Sequence, residues 1–256
     1  MFEPYAVDLV RRVPLRGPTR VLEHAGGTGI VTRRRRATLP ESAPLGATDL
    51  NEAMVSYARE AVPLAEIVWC TADAQALPFA DESFDVIVCQ FGIMFLPEAA
   101  RGFGEAHRVL APGGTLLANT WRPLDENPAH RAIRDACSAM FPDDPPRFLD
   151  TPYGYHDPKR VRADATEGGF AEVHLDTVRL QTRGPSALEF ARGMLRGTPL
   201  CHQLTERGAD LENATREVAR AVARVGGSAP FTLDLAATVV TAIRSKSEPA
   251  AFRDGP

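Results

Sequence analysis

The chain of 256 residues lacks several features that would announce a function outright. Its four cysteines, Cys70, Cys89, Cys137 and Cys201, are scattered, with neither the paired spacing of a zinc site nor the density of a disulfide framework. That pattern argues against a metal site and for a reducing, cytoplasmic setting. No apolar run is long enough to cross a bilayer, and Met1-Phe2-Glu3-Pro4-Tyr5 lacks the charged and apolar regions of a secretory leader, so no membrane partner is expected. A formal net charge of −4 excludes a nucleic-acid binder driven by bulk charge. No internal repeat is present. What is expected is one folded core over 1–244, followed by a small, polar tail, 245–256, expected to fray.

Strands alternate with helices through the first half of the chain. Thr19 to His24 reads as a strand, Thr28 to Leu39 as a helix stopped by Pro40, Leu45 to Asp49 as a second strand, and Asn51 as the cap of a helix reaching Val62. Ala65 to Cys70 gives a third strand. Phe84 to Gln90 reads as a strand whose centre, Val86-Ile87-Val88-Cys89, is an unbroken apolar run, as in a strand covered on both faces. Pro97 to Leu110 reads as a helix ended by Ala111-Pro112-Gly113-Gly114, before a strand from Thr115 to Trp121. This spacing predicts a parallel α/β sheet with right-handed crossovers. Beyond Trp121 a helix (Asn127 to Phe141) leads into an irregular aromatic stretch, Pro142 to Pro158. A helix to Glu167, a strand from Phe170 to Leu180, helices near Ala187–Leu195 and Glu206–Val225, and a strand from Phe231 to Ile243 follow. Helices placed between late strands suit a lid over a substrate and suit a packing subdomain equally well.

The informative stretch is Val21-Leu22-Glu23-His24-Ala25-Gly26-Gly27-Thr28-Gly29-Ile30, a strand that stops at an acid and enters a glycine turn. Glycine permits positive φ and lets a ligand approach the backbone closely. A dinucleotide fingerprint needs a third glycine three residues after Gly29, and it is missing. Glu23, beside the place a pyrophosphate would take, would repel it, and suits a ligand carrying positive charge. Both points argue against an NAD(P)-dependent oxidoreductase.

Glu23-x-Ala25-x-Gly27-x-Gly29 resembles motif I of the class I S-adenosylmethionine-dependent methyltransferases. The likeness continues, in family order, through Ala47-Thr48-Asp49-Leu50-Asn51, Ala72-Asp73-Ala74-Gln75, Ser83-Phe84-Asp85-Val86 and Arg108-Val109-Leu110-Ala111-Pro112-Gly113-Gly114, and is strongest to the ubiquinone/menaquinone-biosynthesis branch. The resemblance implies a Rossmann-like seven-stranded mixed sheet with a helical lid inserted between the late strands. It implies a cofactor half (1–121) and a substrate half (122–244), with S-adenosyl-L-methionine donating a methyl group to a small organic acceptor. By the same resemblance Glu23, Ala25, Gly27 and Gly29 would hold the methionine moiety, Asp49 the ribose and Leu50 the adenine face. Asp73 and Ala74 would meet the adenine edge, and Gln90 with Phe91 the transfer point. A non-catalytic module keeping this fold is the other alternative. Ala25 replaces the commonest first glycine, and the Arg33-Arg34-Arg35-Arg36 run must turn at least one arginine inward, where it has to snorkel or pair.

Methyl transfer needs a general base only if the acceptor must lose a proton early. His156, in the aromatic loop, is the candidate, against the plainer reading of a surface histidine at the start of a helix. His202 is a weaker candidate, His107 is expected to be exposed, and His24 either lines the pocket or packs against its neighbour strand. Phe148, Tyr153 and Tyr155 form an acceptor wall or ordinary lid packing. The acceptor itself and the oligomeric state are not legible.

Overall fold

Strands that are apolar on both faces must be covered on both, and crossover helices do this only if successive parallel strands are linked right-handedly. The computed structural model, which describes residues 1–14, 19–38, 43–64 and 66–246, has this arrangement. Strands β1 (Val21–His24), β2 (Leu45–Asp49), β3 (Ile67–Thr71), β4 (Phe84–Gln90), β5 (Leu110–Trp121), β6 (Glu172–Gly184) and β7 (Phe231–Ile243) form a sheet ordered β3-β2-β1-β4-β5-β7-β6. The first five are parallel, and β7 runs antiparallel to both β5 and β6. The strand order reverses between β1 and β4, which opens a crevice at their carboxyl ends, where open α/β sheets bind ligands.

Helices α1 (Glu3–Arg12) and α2 (Ile30–Arg36) cover one face over Val21, Leu45, Ala47, Val86 and Val88. The other face is larger. It takes Leu22, Ile87, Leu116 and Ala118, packed against α4 (Ala99–Val109) and the later helices. Helix α3 (Glu52–Ala61) starts as expected, with the Asn51 side chain accepting from the Ala53 amide at 2.9 Å. After β5 come α5 (Pro128–Met140), α6 (Asp150–Gly154) and α7 (Pro158–Glu167). Helices α8 (Ala187–Arg196), α9 (Leu200–Glu206) and α10 (Leu211–Gly226) separate β6 from β7. Asn127 fastens the lid to the sheet: its carboxamide accepts from the Ala236 amide at 2.9 Å and donates to the Ala236 carbonyl at 3.2 Å, as a strand partner would.

Several boundaries differ from the sequence reading. The helix expected from Glu206 to Val225 begins later, at Leu211, because α9 already ends at Glu206, Gly208 takes φ +74° and Asp210 caps the new start, accepting from the Glu212 amide at 2.9 Å. The stretch from Pro142 to Pro158 contains α6, and β5 begins at Leu110, pairing with Phe84 before a register shift. The Gly17-Pro18 break, Leu39, Pro40, Ala65 and the tail beyond 246 lie outside the described residues. Among the described residues no helix is long and apolar enough to cross a membrane.

The arginine run divides by helical geometry. Arg33 and Arg34 are exposed toward Glu3, whereas Arg35 and Arg36 are buried. Arg36 donates to the Ala43 carbonyl at 3.0 Å. Among the described residues the fully buried Arg35 has only long contacts, 3.4 Å to the Val10 carbonyl and 3.3 Å to Thr38 Oγ1, and its Nε and Nη2 find no partner there. Burial lowers its pKa to about 10. A desolvated, half-satisfied guanidinium costs more than an apolar side chain of similar length. Arg35→Met is therefore expected to stabilise the fold by about 1–3 kcal/mol, read as a higher urea midpoint at unchanged slope; a lower midpoint would contradict it.

Candidate functional site

The crevice is built from three strand ends tied to one another. The Gly26 amide donates to the Thr48 carbonyl at 2.8 Å, and the Gly27 amide to Asp49 Oδ2 at 2.9 Å, so the turn after β1 is held by the end of β2. Asp49 Oδ1 accepts from the Asn51 amide at 2.9 Å, and the Asp49 carbonyl from the Ala72 amide at 3.0 Å, which brings in the loop after β3. In that loop Asp73 Oδ1 accepts from the Gln75 amide at 2.8 Å, and Ala74 is buried. Arg108 braces the far side of the loop through the Leu77 and Phe79 carbonyls and the Asp81 and Glu105 carboxylates. Leu50 stands 71 % exposed, an uncovered apolar ledge beside Asp49. The crevice thus gathers Glu23, Ala25, Gly27, Gly29, Asp49, Leu50, Asp73, Ala74 and Gln90 along the ends of β1 to β4.

Only two of these positions need the backbone freedom of glycine. Gly29 takes φ +78° to begin α2, and a Cβ there would lie 3.1 Å from the Trp69 ring. Gly27 takes φ +55°, with nothing within 4 Å of where its Cβ would stand, so the turn is open on that side. Ala25 adopts φ +54° despite its methyl group.

Thr32 occupies the position at which a dinucleotide turn has its third glycine, and the structure gives it a use. It is fully buried and donates its hydroxyl to Glu23. Glu23 is buried too, and burial raises its pKa to about 8, the Thr32 bonds only partly opposing this. The expected repulsion of pyrophosphate by a Glu23 carboxylate therefore needs correcting: at neutral pH the group is mostly protonated until a cation is brought near it. The side chain of Thr32, rather than charge, is what separates this turn from a dinucleotide site.

Beyond Gln90 the chain turns through Phe91, at φ +53°, into a cavity of about 370 Å³ between sheet and lid. Phe91, Trp121, His130, Phe148, Tyr153 and Phe190 are among its walls, with Glu189 beside them, and among the described residues no lysine or arginine lines it. Phe91 stacks on Trp121 at 3.8 Å, and Trp121 lies nearly parallel to Tyr153 at 6.1 Å. Gln90 donates to the Phe2 carbonyl at 2.9 Å, while its Oε1 is buried without a partner.

The histidines fall differently from expectation. His156 is half-buried, with Nδ1 2.6 Å from the Tyr153 carbonyl, and does not line the cavity. The histidine that does is His130, which sequence reasoning passed over inside a helix. Burial lowers its pKa to about 3, leaving it neutral and a weak base, and burial holds the Tyr153 phenol protonated. His24 is buried with both ring nitrogens unpartnered, and burial lowers its pKa to about 4. His107 is not exposed: its ring packs edge-on against Phe170 at 5.1 Å. Phe148 and Tyr153 are cavity walls, whereas Tyr155 turns its hydroxyl to Asp164 at 2.7 Å.

A reversed strand order at β1/β4, a glycine turn bound to an acid at the end of β2, and an antiparallel β7 inserted beside β5 define the class I methyltransferase fold. Residues 22–118 match the family described as "Methyltransferase domain". It is 42 % identical over 127 residues to the ubiquinone/menaquinone biosynthesis C-methyltransferase of Dinoroseobacter shibae, covering 48 % of this chain and 50 % of that one. To the enzyme of the same name from Escherichia fergusonii it is 37 % identical over 106 residues, 40 % of this chain and 42 % of that one. The chain thus spans about half the length of the curated relatives it matches. In fold it is similar to a putative methyltransferase of Bacillus halodurans, with TM-score 0.62 and 17 % identity over 94 % of this chain and 99 % of that one. The phosphoethanolamine N-methyltransferase 2 of Haemonchus contortus, solved with S-adenosyl-L-methionine, gives TM-score 0.60 and 16 % identity over 95 % of this chain and 53 % of that one.

The Glu23 pKa carries a signed consequence for stability. Between the ordinary 4.5 and about 8 only the folded state keeps the proton, so unfolding releases it and stability falls as pH rises through that window. The slope approaches about 1.4 kcal/mol per pH unit for one proton. Urea midpoints taken from about pH 5 to about pH 9 should decline in the wild type and stay flatter in Glu23→Gln; parallel profiles would refute the assignment.

Proposed function

We propose that this chain transfers a methyl group from S-adenosyl-L-methionine to a small, uncharged organic acceptor held in the aromatic cavity. The observation that carries the reading is the junction at Gln90 and Phe91, where the crevice at the strand ends meets a cavity walled by aromatic side chains. The residues fit the cofactor. Gly27 leaves open space, Asp49 keeps lone pairs beyond those given to Gly27 and Asn51 for two ribose hydroxyls, and the exposed Leu50 offers an apolar face to a base. Ala25, Gly29 and Glu23 shape the turn, Asp73 and Ala74 would meet the adenine edge, and the unpartnered Gln90 Oε1 would accept from the amino group. When bound, S-adenosylmethionine supplies an electrophilic methyl group on a sulfonium.

The task of the chain is then to hold the acceptor in line and keep water out. Phe91, Trp121 and Tyr153 supply flat apolar walls, and the Glu189 carboxylate among the lining residues disfavours acceptors with a carboxylate or phosphate. With His130 neutral and weakly basic, and Tyr153 protonated, acceptors that need only positioning suit the cavity best. His156, turned toward the Tyr153 carbonyl, would act on the wall rather than on the acceptor. Because lid residues and first-half residues line one cavity, 1–244 is read as a single working unit. Four unpaired cysteines and a net charge of −4 support a cytoplasmic protein without a nucleic-acid partner.

Nothing favours the dinucleotide alternative, since the buried Thr32 fills the third-glycine position. Calorimetric titration with S-adenosylhomocysteine should show binding by the wild type and a loss of affinity of about tenfold or more in Asp49→Ala. Absence of heat with the wild type would sink the reading.

A further inference from the structure

Asn119 is fully buried in β5 and pairs with Gln90, the last residue of β4. Past that pair the β4 backbone leaves the ladder, and its next amide, that of Phe91, is met by a side chain: Asn119 Oδ1 accepts from it at 2.8 Å. Asn119 Nδ2 is buried without a partner among the described residues, so half of the carboxamide is left unsatisfied there. A residue present only to fill space there would be better apolar, since an orphaned buried donor costs about 1–3 kcal/mol. The acceptor is the part the structure uses.

Phe91 is a bulky residue at φ +53°, a conformation that persists only when its surroundings impose it. Two consequences follow from it. The ring is set against Trp121 as a wall of the cavity. The next residue, Gly92, is driven against the turn after β1, so closely that a Cβ on it would lie 2.3 Å from the Ala25 Cβ. Ala25 is itself at φ +54°. The two strained turns are therefore interlocked, one belonging to the cofactor crevice and one to the acceptor cavity, and a single carboxamide oxygen on β5 holds the junction.

Resting on the function proposed above, we infer that Asn119 is a positioning residue: through the Phe91 amide it sets the glycine turn and the aromatic cavity in register. It touches neither ligand in this account and acts through Phe91, Gly92 and Ala25.

The test uses the full chain and two direct binding measurements, calorimetry with S-adenosylhomocysteine for the crevice and with naphthalene for the cavity, alongside thermal melting. Asn119→Leu, similar in shape but without an acceptor, should weaken both ligands by about tenfold or more. Adding Phe91→Gly, which adopts positive φ freely, should recover S-adenosylhomocysteine affinity to within about threefold of wild type while naphthalene binding stays weak. Asn119→Asp keeps Oδ1 and exchanges the unpartnered nitrogen for an oxygen that burial favours in its protonated form, so, measured at about pH 5 against wild type at the same pH, it should stay within about threefold for both ligands, and it decides the matter if the leucine variant does not fold. A lower melting temperature with both affinities unchanged in Asn119→Leu would make the residue merely structural and overturn the proposal. So would tenfold losses in Asn119→Asp, or no recovery on adding Phe91→Gly. Wild-type protein that fails to bind S-adenosylhomocysteine would instead count against the underlying function. Wild-type binding with an indifferent Asn119→Leu counts against this inference alone.

Discussion

Glu23 and Thr32 form the contact on which the crevice depends. A carboxyl group and a hydroxyl, both buried between the glycine turn and the helix that follows, satisfy one another where a dinucleotide-binding turn would have bare glycine backbone. The pairing sets how closely α2 approaches the sheet. It also places a proton beneath the turn, since burial outweighs the hydroxyl bond and keeps Glu23 largely neutral. Bringing a positively charged ligand to the turn would favour the ionised form, so the charge complementarity expected of Glu23 is latent until binding.

Around that contact the fold places strain where ligands are expected. Ala25 and Phe91 both take left-handed backbone, and each is held by neighbours rather than by its own preference: Ala25 by the tie of Gly26 and Gly27 to β2, Phe91 by Asn119 and Trp121. The aromatic column of Phe91, Trp121 and Tyr153 then carries the rigidity of the sheet outward to the lid. Asn127, bonded to both polar groups of Ala236, does the same from the lid's base.

Much of this was legible in the sequence because it is written in local patterns. The apolar run from Val86 to Cys89, the Asn51 cap and the acid-to-glycine turn each obey a short-range rule, and the structure obeys the same rules. The seven-stranded order came from the family resemblance, not from periodicity. What was missed depends on tertiary contact. His130 sits in an ordinary amphipathic helix, and only the packing of that helix turns it into the cavity. Asn119 looks like one more residue of a buried strand until its partner, far away in sequence, is known. Arg35 and Arg36 could be assigned an inward direction by counting around a helix, but which pair turned inward depended on where α1 packs.

The place of β7 has a consequence for how the chain assembles. The last described strand is not at the margin of the sheet: it lies between β5 and β6, with Ile243 opposite Thr115 on one side and Glu172 on the other. During synthesis the first five strands can pair as soon as they emerge, yet the outer edge of β5 stays bare until β7 has been made. Such an edge invites pairing with other chains, and β6 cannot dock until β7 fills the gap. The Tyr5 hydroxyl, bonded to the Leu235 carbonyl at 2.7 Å, closes the fold from the opposite end of the sequence. The five parallel strands can thus pair before β7 is made, whereas β6 joins the sheet only through β7.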